Sequence, residues 1–121
     1  MKIRILIVST DSTYLERMTG VAADRYADVV EVNGYSNAEA LRHACAGSRY
    51  DVTIADANLP DTFTLPATRV TLLLWDGTTE IPDSAGQNRL VIKKYQRISK
   101  IIALALEKYA SVASDVAGMH D

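Results

Sequence analysis

The stretch D-V-T-I-A-D-A-N-L-P, Asp51 to Pro60, decides the fold. Val52–Ala55 reads as a short buried strand. It ends on an acid, Asp56, followed by Ala-Asn-Leu-Pro. An open α/β sheet places its chemistry at the carboxyl ends of its central strands. Asp56 is therefore either a working carboxylate or the remnant of one.

Upstream, Ile3–Val8 is a continuous apolar run rich in β-branched residues, as expected of a strand buried on both faces. Asp11-Ser12-Thr13 supplies capping oxygens, and Thr13-x-x-Glu16 matches a capping box. Leu15, Met18, Ala22 and Tyr26 then recur at helical spacing, giving a helix to about Arg25. Val29–Val32 is a second short strand. Ser36-x-x-Glu39 is a second capping box, opening a helix over Asn37–Ala46 with Gly47 as its stop. Ala40, Leu41, Ala44 and Cys45 face inward on it. Downstream, Val70–Leu74 and Leu90–Lys93 are strands. A last helix runs from about Arg97 to Ala113, with Ile98, Ile101, Ile102, Ala105 and Tyr109 as its sheet-facing stripe. Leu104 and Leu106 widen that stripe, which fits either deep packing or a helix that also serves an interface.

Strands alternating with helices imply an α/β fold with a parallel sheet and right-handed crossovers, here in the order 2-1-3-4-5. Two crossovers depart from the pattern. Pro60–Arg69 and Gly77–Arg89 are rich in Thr, Pro, Gly and Asp and lack a helical apolar period, so irregular connections are expected in place of the third and fourth helices. Val70–Leu74 is nonetheless apolar at both parities. Either the loops fold back, using Phe63, Leu65, Pro66 and Ile81, or a second molecule covers the face.

A length of 121 residues gives one domain with a real core, assigned to residues 1–113, with 114–121 as a flexible tail or the start of a linker. A net charge of −2 gives no electrostatic case for nucleic acid or an anionic membrane. No apolar run is long enough for a membrane span, and the first residues do not make a signal peptide. The single Cys45 excludes an internal disulfide and fits a reducing cytoplasm and plain packing. His43 and His120 have no partner at ligand spacing, so no metal site is expected from them. No nucleophile–base pair points to an enzyme.

The strand ends I-L-I-V-S-T-D, T-I-A-D-A-N-L-P and L-V-I-K-K-Y-Q, with the element order, resemble the receiver domain of bacterial response regulators over about residues 2–113. The resemblance implies a flavodoxin/receiver-like sheet, puts Asp56 on the phosphoacceptor position, and puts Lys93 on the lysine that contacts the phosphoryl group. It also exposes departures. The two acids that hold Mg²⁺ in receivers fall on Ser9 and Thr10, with Asp11 one place late. The switch hydroxyl falls near Trp75 and the switch aromatic on Leu90, and Lys94 replaces the usual proline, so no cis peptide is expected there. Mg²⁺ takes oxygen ligands and typically one or two carboxylates, so Asp56 and Asp11 are weak candidates for holding it. Asp56 and Lys93 then read as a structural pair, as an inefficient phosphoacceptor site, or as an anchor for a small ligand or partner joined by Asp76.

The start K-I-R-I-L-I-V-S-T-D-S-T-Y-L-E-R, the two absent helices and the K-Y-Q before the last helix resemble a narrower group. These are the atypical receiver domains at the N-terminus of MinD/ParA-like ATPases of Tad pilus assembly, the TadZ/CpaE type. That resemblance implies a non-catalytic module without a cofactor, a homodimer that meets other pilus-assembly or signalling proteins, and a cytoplasmic place with recruitment to a cell pole. No P-loop stands in this sequence, so the ATPase would lie beyond it. The alternative is a phosphorelay receiver using Asp56 with Mg²⁺.

Overall fold

The structure is a computed structural model that describes residues 2–78 and 89–118, with side chains as far as Val112. Five parallel strands stand in the order β2-β1-β3-β4-β5: β1 (Ile3–Val8), β2 (Val30–Tyr35), β3 (Val52–Asp56), β4 (Val70–Trp75) and β5 (Arg89–Lys93). Three helices accompany them: α1 (Ser12–Arg25), α2 (Ala38–Gly47) and α3 (Ile98–Gly118). The expected sheet and strand order are those observed.

Side-chain alternation with period two sorts the strands onto two faces. Ile5 and Ile7 of β1, Val52 and Ile54 of β3, and Val70, Leu72 and Leu74 of β4 point to one face. There they meet Leu15, Met18 and Ala22 of α1 and Ile101, Ile102 and Ala105 of α3. This is the main core; of the two residues that widen the stripe of α3, Leu106 packs there along with Tyr109 and Val112, whereas Leu104 is half-buried and not part of this cluster. The other face is thinner. Leu6, Val8 and Ala55 are covered by Leu41, the one fully buried residue of α2, and by Tyr50.

Between β3 and β4 no helix forms. The loop instead sends Leu59, Phe63 and Leu65 back against Leu6, Val8 and Ala55. A turn closed by Phe63 N donating to Pro60 O (3.0 Å) begins it. Thr68 ends it by bonding Thr53 Oγ1 (2.9 Å) and donating to Val70 O (2.9 Å). That satisfies Thr53, a hydroxyl buried at the centre of the sheet. The first irregular crossover is thus as expected. The second falls largely on residues 79–88, outside the described residues, and Ile81 with it.

Several boundaries are corrected. Of the capping oxygens in Asp11-Ser12-Thr13, the N-cap of α1 is Asp11, whose Oδ1 accepts from Tyr14 N (3.1 Å), and not the capping-box Thr13. That of α2 is Asn37, accepting from Ala40 N (2.9 Å), and not Ser36. Both caps keep extended backbone, which lets a short side chain reach the first free N–H groups. Gly47 is the last helical residue of α2, with Ser48 as cap. β2 runs later than Val29–Val32, through Asn33-Gly34-Tyr35, because it pairs with β1 along its whole length. α3 passes Ala113 and reaches Gly118, so the segment read as a tail begins as helix; residues 119–121, including His120, lie outside the described residues.

Candidate functional site

Asp56 ends β3 in the middle of the sheet and shares the parity of Val52 and Ile54, so it points toward the α1/α3 side. It is 3% exposed. Ser9, the residue after β1, is fully buried beside it and donates its hydroxyl to Asp56 Oδ2 at 2.6 Å. The same Ser9 Oγ accepts from Asp11 N (3.2 Å). Ser9, which the resemblance matched to one of the two acids, thus donates a hydrogen bond to Asp56. Thr10, the other, is exposed.

The cation that meets Asp56 is Lys94, and not Lys93. Lys94 Nζ lies 3.1 Å from Asp56 Oδ1, with both side chains almost wholly buried. Lys93 is exposed at the end of β5, in register with Trp75. Strand parity explains the correction. Leu90 and Ile92 pack into the α1/α3 core, so Val91 and Lys93 turn to the opposite face. Lys94 continues the inward parity one residue past the strand, held there as its N–H donates to Trp75 O (2.8 Å).

An aromatic wall completes the site. Lys94 Nζ sits 4.8 Å from the Tyr14 ring centroid and 5.7 Å from that of Tyr95. Tyr14 Oη donates to Lys94 O (3.1 Å), tying α1 to the end of β5. Burial, and then the negative charge of Asp56 and the neighbouring Tyr95, push the Tyr14 phenol up to about 12. The Lys94–Asp56 contact is close but lies outside hydrogen-bond angles, leaving Oδ1 with an ionic partner and no hydrogen bond. No cis peptide occurs among the described residues.

These residues do not fit Mg²⁺. Asp56 already faces an ammonium on one oxygen and a hydroxyl on the other. Asp11 spends its carboxylate on the N-terminus of α1. Asp76 is engaged by Thr78, whose hydroxyl (2.6 Å) and then backbone N–H (2.9 Å) hold its carboxyl below the usual range, and by Asn58 (3.4 Å). Among the described residues no cluster of three His, Cys, Asp or Glu could hold a metal. Trp75 and Leu90, which the resemblance matched to a switch hydroxyl and a switch aromatic, are half-buried; Trp75 has no hydroxyl and Leu90 no aromatic ring. Sequence reasoning missed Tyr14 and Lys94. Counting parity forward from Leu90 would have found Lys94; nothing local marks Tyr14 apart from its place one turn into α1.

Solved structures share the fold. A CheY-like receiver domain from Methanospirillum hungatei JF-1 superposes with a TM-score of 0.73 at 16% identity, covering 95% of this chain and 99% of that one. The signal receiver domain of an HD domain-containing protein from Pseudomonas fluorescens Pf-5 gives 0.68 at 18%, covering 92% and 99%. A receiver domain from Bacillus halodurans C-125 gives 0.66 at 17%, covering 89% and 97%. A search of the curated proteins finds no match. The family model of the TadZ-like receiver domain matches residues 1–110. The chain therefore belongs to the TadZ-like receiver domain family, a receiver fold whose acidic site is closed by its own serine and lysine.

Proposed function

We propose that the chain is a non-catalytic interaction module: a receiver domain that homodimerises or docks another pilus-assembly or signalling protein without phosphorylation. In the whole protein it would be the regulatory N-terminal domain of a TadZ/CpaE-like, MinD/ParA-like ATPase, in the cytoplasm and recruited to a cell pole. No helix among the described residues is long and apolar enough to cross a membrane.

One observation carries the reading. The phosphoacceptor position is filled from within, with Asp56 bound by Ser9 at 2.6 Å and by Lys94 at 3.1 Å in a buried site. Phosphoryl transfer relies on positioning and on a metal that neutralises the equatorial oxygens. Neither has a place here while that pair is intact.

The test is incubation of folded protein with Mg²⁺ and acetyl phosphate, followed promptly by intact mass and by mass mapping of the peptide that holds Asp56. No gain is expected. A gain of one phosphoryl group on that peptide would replace this reading with the phosphorelay alternative.

A further inference from the structure

A second surface adjoins the closed site and shares Tyr14, Lys94 and Tyr95 with its wall. Two shallow depressions, of about 600 and 410 Å³, run along the seam between α1 and the start of α3. They share Arg17, Gln96, Arg97 and Ile98, so they form one groove. Arg17 and Arg25 stand on α1 at the same helical face, with Val21 between them, and Arg97 stands opposite. All three arginines are exposed. None makes an ion pair among the described residues, where the ion pairs are Arg4–Glu31 and Lys94–Asp56. The one acid on the groove wall, Asp11, is committed to capping α1. Tyr95, 73% exposed, forms one end. A chain of net charge −2 has thus gathered, in one seam, three guanidinium groups without an ion pair among the described residues and an exposed aromatic ring.

We propose that this seam docks an extended acidic segment of a partner protein, its carboxylates met by Arg17, Arg97 and Arg25 and an apolar side chain resting on Tyr95. Guanidinium forks match carboxylates in bidentate geometry. From Arg17 to Arg25 the helix rises roughly 12 Å. That is the length of about four residues of extended chain at ~3.3 Å each. Cations spread along that length can meet successive carboxylates of one extended chain, and guanidinium forks suit carboxylates. Anionic lipid is met by larger basic clusters, of about four to eight residues, and nucleic acid by strongly basic domains. The proposal rests on the interaction-module reading and names one of its partners by chemistry.

The probe is a fluorescein-labelled octapeptide alternating aspartate and alanine, beside its asparagine counterpart, followed by anisotropy on the intact chain. The aspartate peptide should bind at least ~10-fold tighter, and added salt should weaken it. The variant R17E/R97E should lose at least ~10-fold, and Arg25→Glu alone a smaller amount, while Arg69→Glu, an exposed charge on another surface, should change binding less than ~2-fold. Equal binding of the two peptides, or equal loss in the Arg69→Glu variant, overturns the proposal. So does capture on phosphatidylserine vesicles that needs Arg17 and Arg97 when the peptide does not bind. Dimerisation is weighed separately by sedimentation of the free chain, so a failed peptide and a failed interaction module give different results.

Discussion

Lys94 and Asp56 depend on one another. Each is taken almost wholly out of water, and removing one partner of such a pair strands the other. Asp56→Asn keeps the hydrogen bond with Ser9 but leaves the ammonium without its anion, so urea denaturation should show a loss of about 3 kcal/mol or more. Lys94→Met should cost a similar amount. Combining Asp56→Asn with Lys94→Met should recover much of it, since a methionine fits the aromatic slot and an amide needs no counter-ion. Tyr14 gives a second prediction. Its phenol is raised from 10 to about 12 in the folded chain, so the unfolded chain loses this proton first. The contribution is whole below pH 10 and is lost as pH climbs toward 12. Tyr50, raised likewise by burial and by its hydrogen bond with Tyr35, acts in the same direction. Absorbance titration near 295 nm should show two tyrosines ionising late, one of them missing in Tyr14→Phe, with thermal stability falling across the same interval.

Elements show where the sequence speaks plainly and where it does not. β1 and β3 announce themselves by dense apolar residues at both parities, broken only by Arg4 in β1 and by Thr53 and the final Asp56 in β3, because both their faces are buried. The absent helix between β3 and β4 is equally legible, since no helical period hides in Pro60–Arg69. The capping boxes were misplaced by two residues at α1 and by one at α2, because Asp, Ser, Thr and Asn can all serve, and backbone geometry decides among neighbours. The exchange of Lys93 for Lys94 has the same origin: two adjacent lysines look alike to a motif, and only the pleat separates them. β2 was cut short because Asn33-Gly34-Tyr35 breaks its apolar run, yet the glycine is what lets it pass α1. A Cβ at Gly34 would stand 2.8 Å from Leu15 Cδ1 and 2.9 Å from Thr19 Cγ2. Gly34→Ala should therefore cost about 1–2 kcal/mol by overpacking, with Leu15→Ala in the same chain relieving part of it, as denaturation midpoints would report.

At the scale of the molecule the two faces of the sheet are unequal. The α1/α3 side holds a deep core, while the other relies on one buried leucine of α2 and a loop with three hydrophobic footholds. A depression of about 440 Å³ remains there, between Arg42 and Cys45 of α2 and Thr62, Leu65 and Pro66 of the loop. A homodimer in sedimentation equilibrium at micromolar concentration is the expected outcome; a monomer that persists to millimolar concentration would leave docking of other proteins as the module's work. Fold likeness could not have decided this, because the same scaffold carries many functions.

A serine and a lysine sealed around Asp56 also change what the cell can adjust. A chemical toggle lets a fixed number of molecules alter their output within seconds. If the chain works as the unphosphorylated module proposed above, that dial is gone, and occupancy of any assembly obeys mass action alone. Timing would then be set by synthesis, degradation and local crowding at the place of recruitment, and gene dosage becomes the control variable.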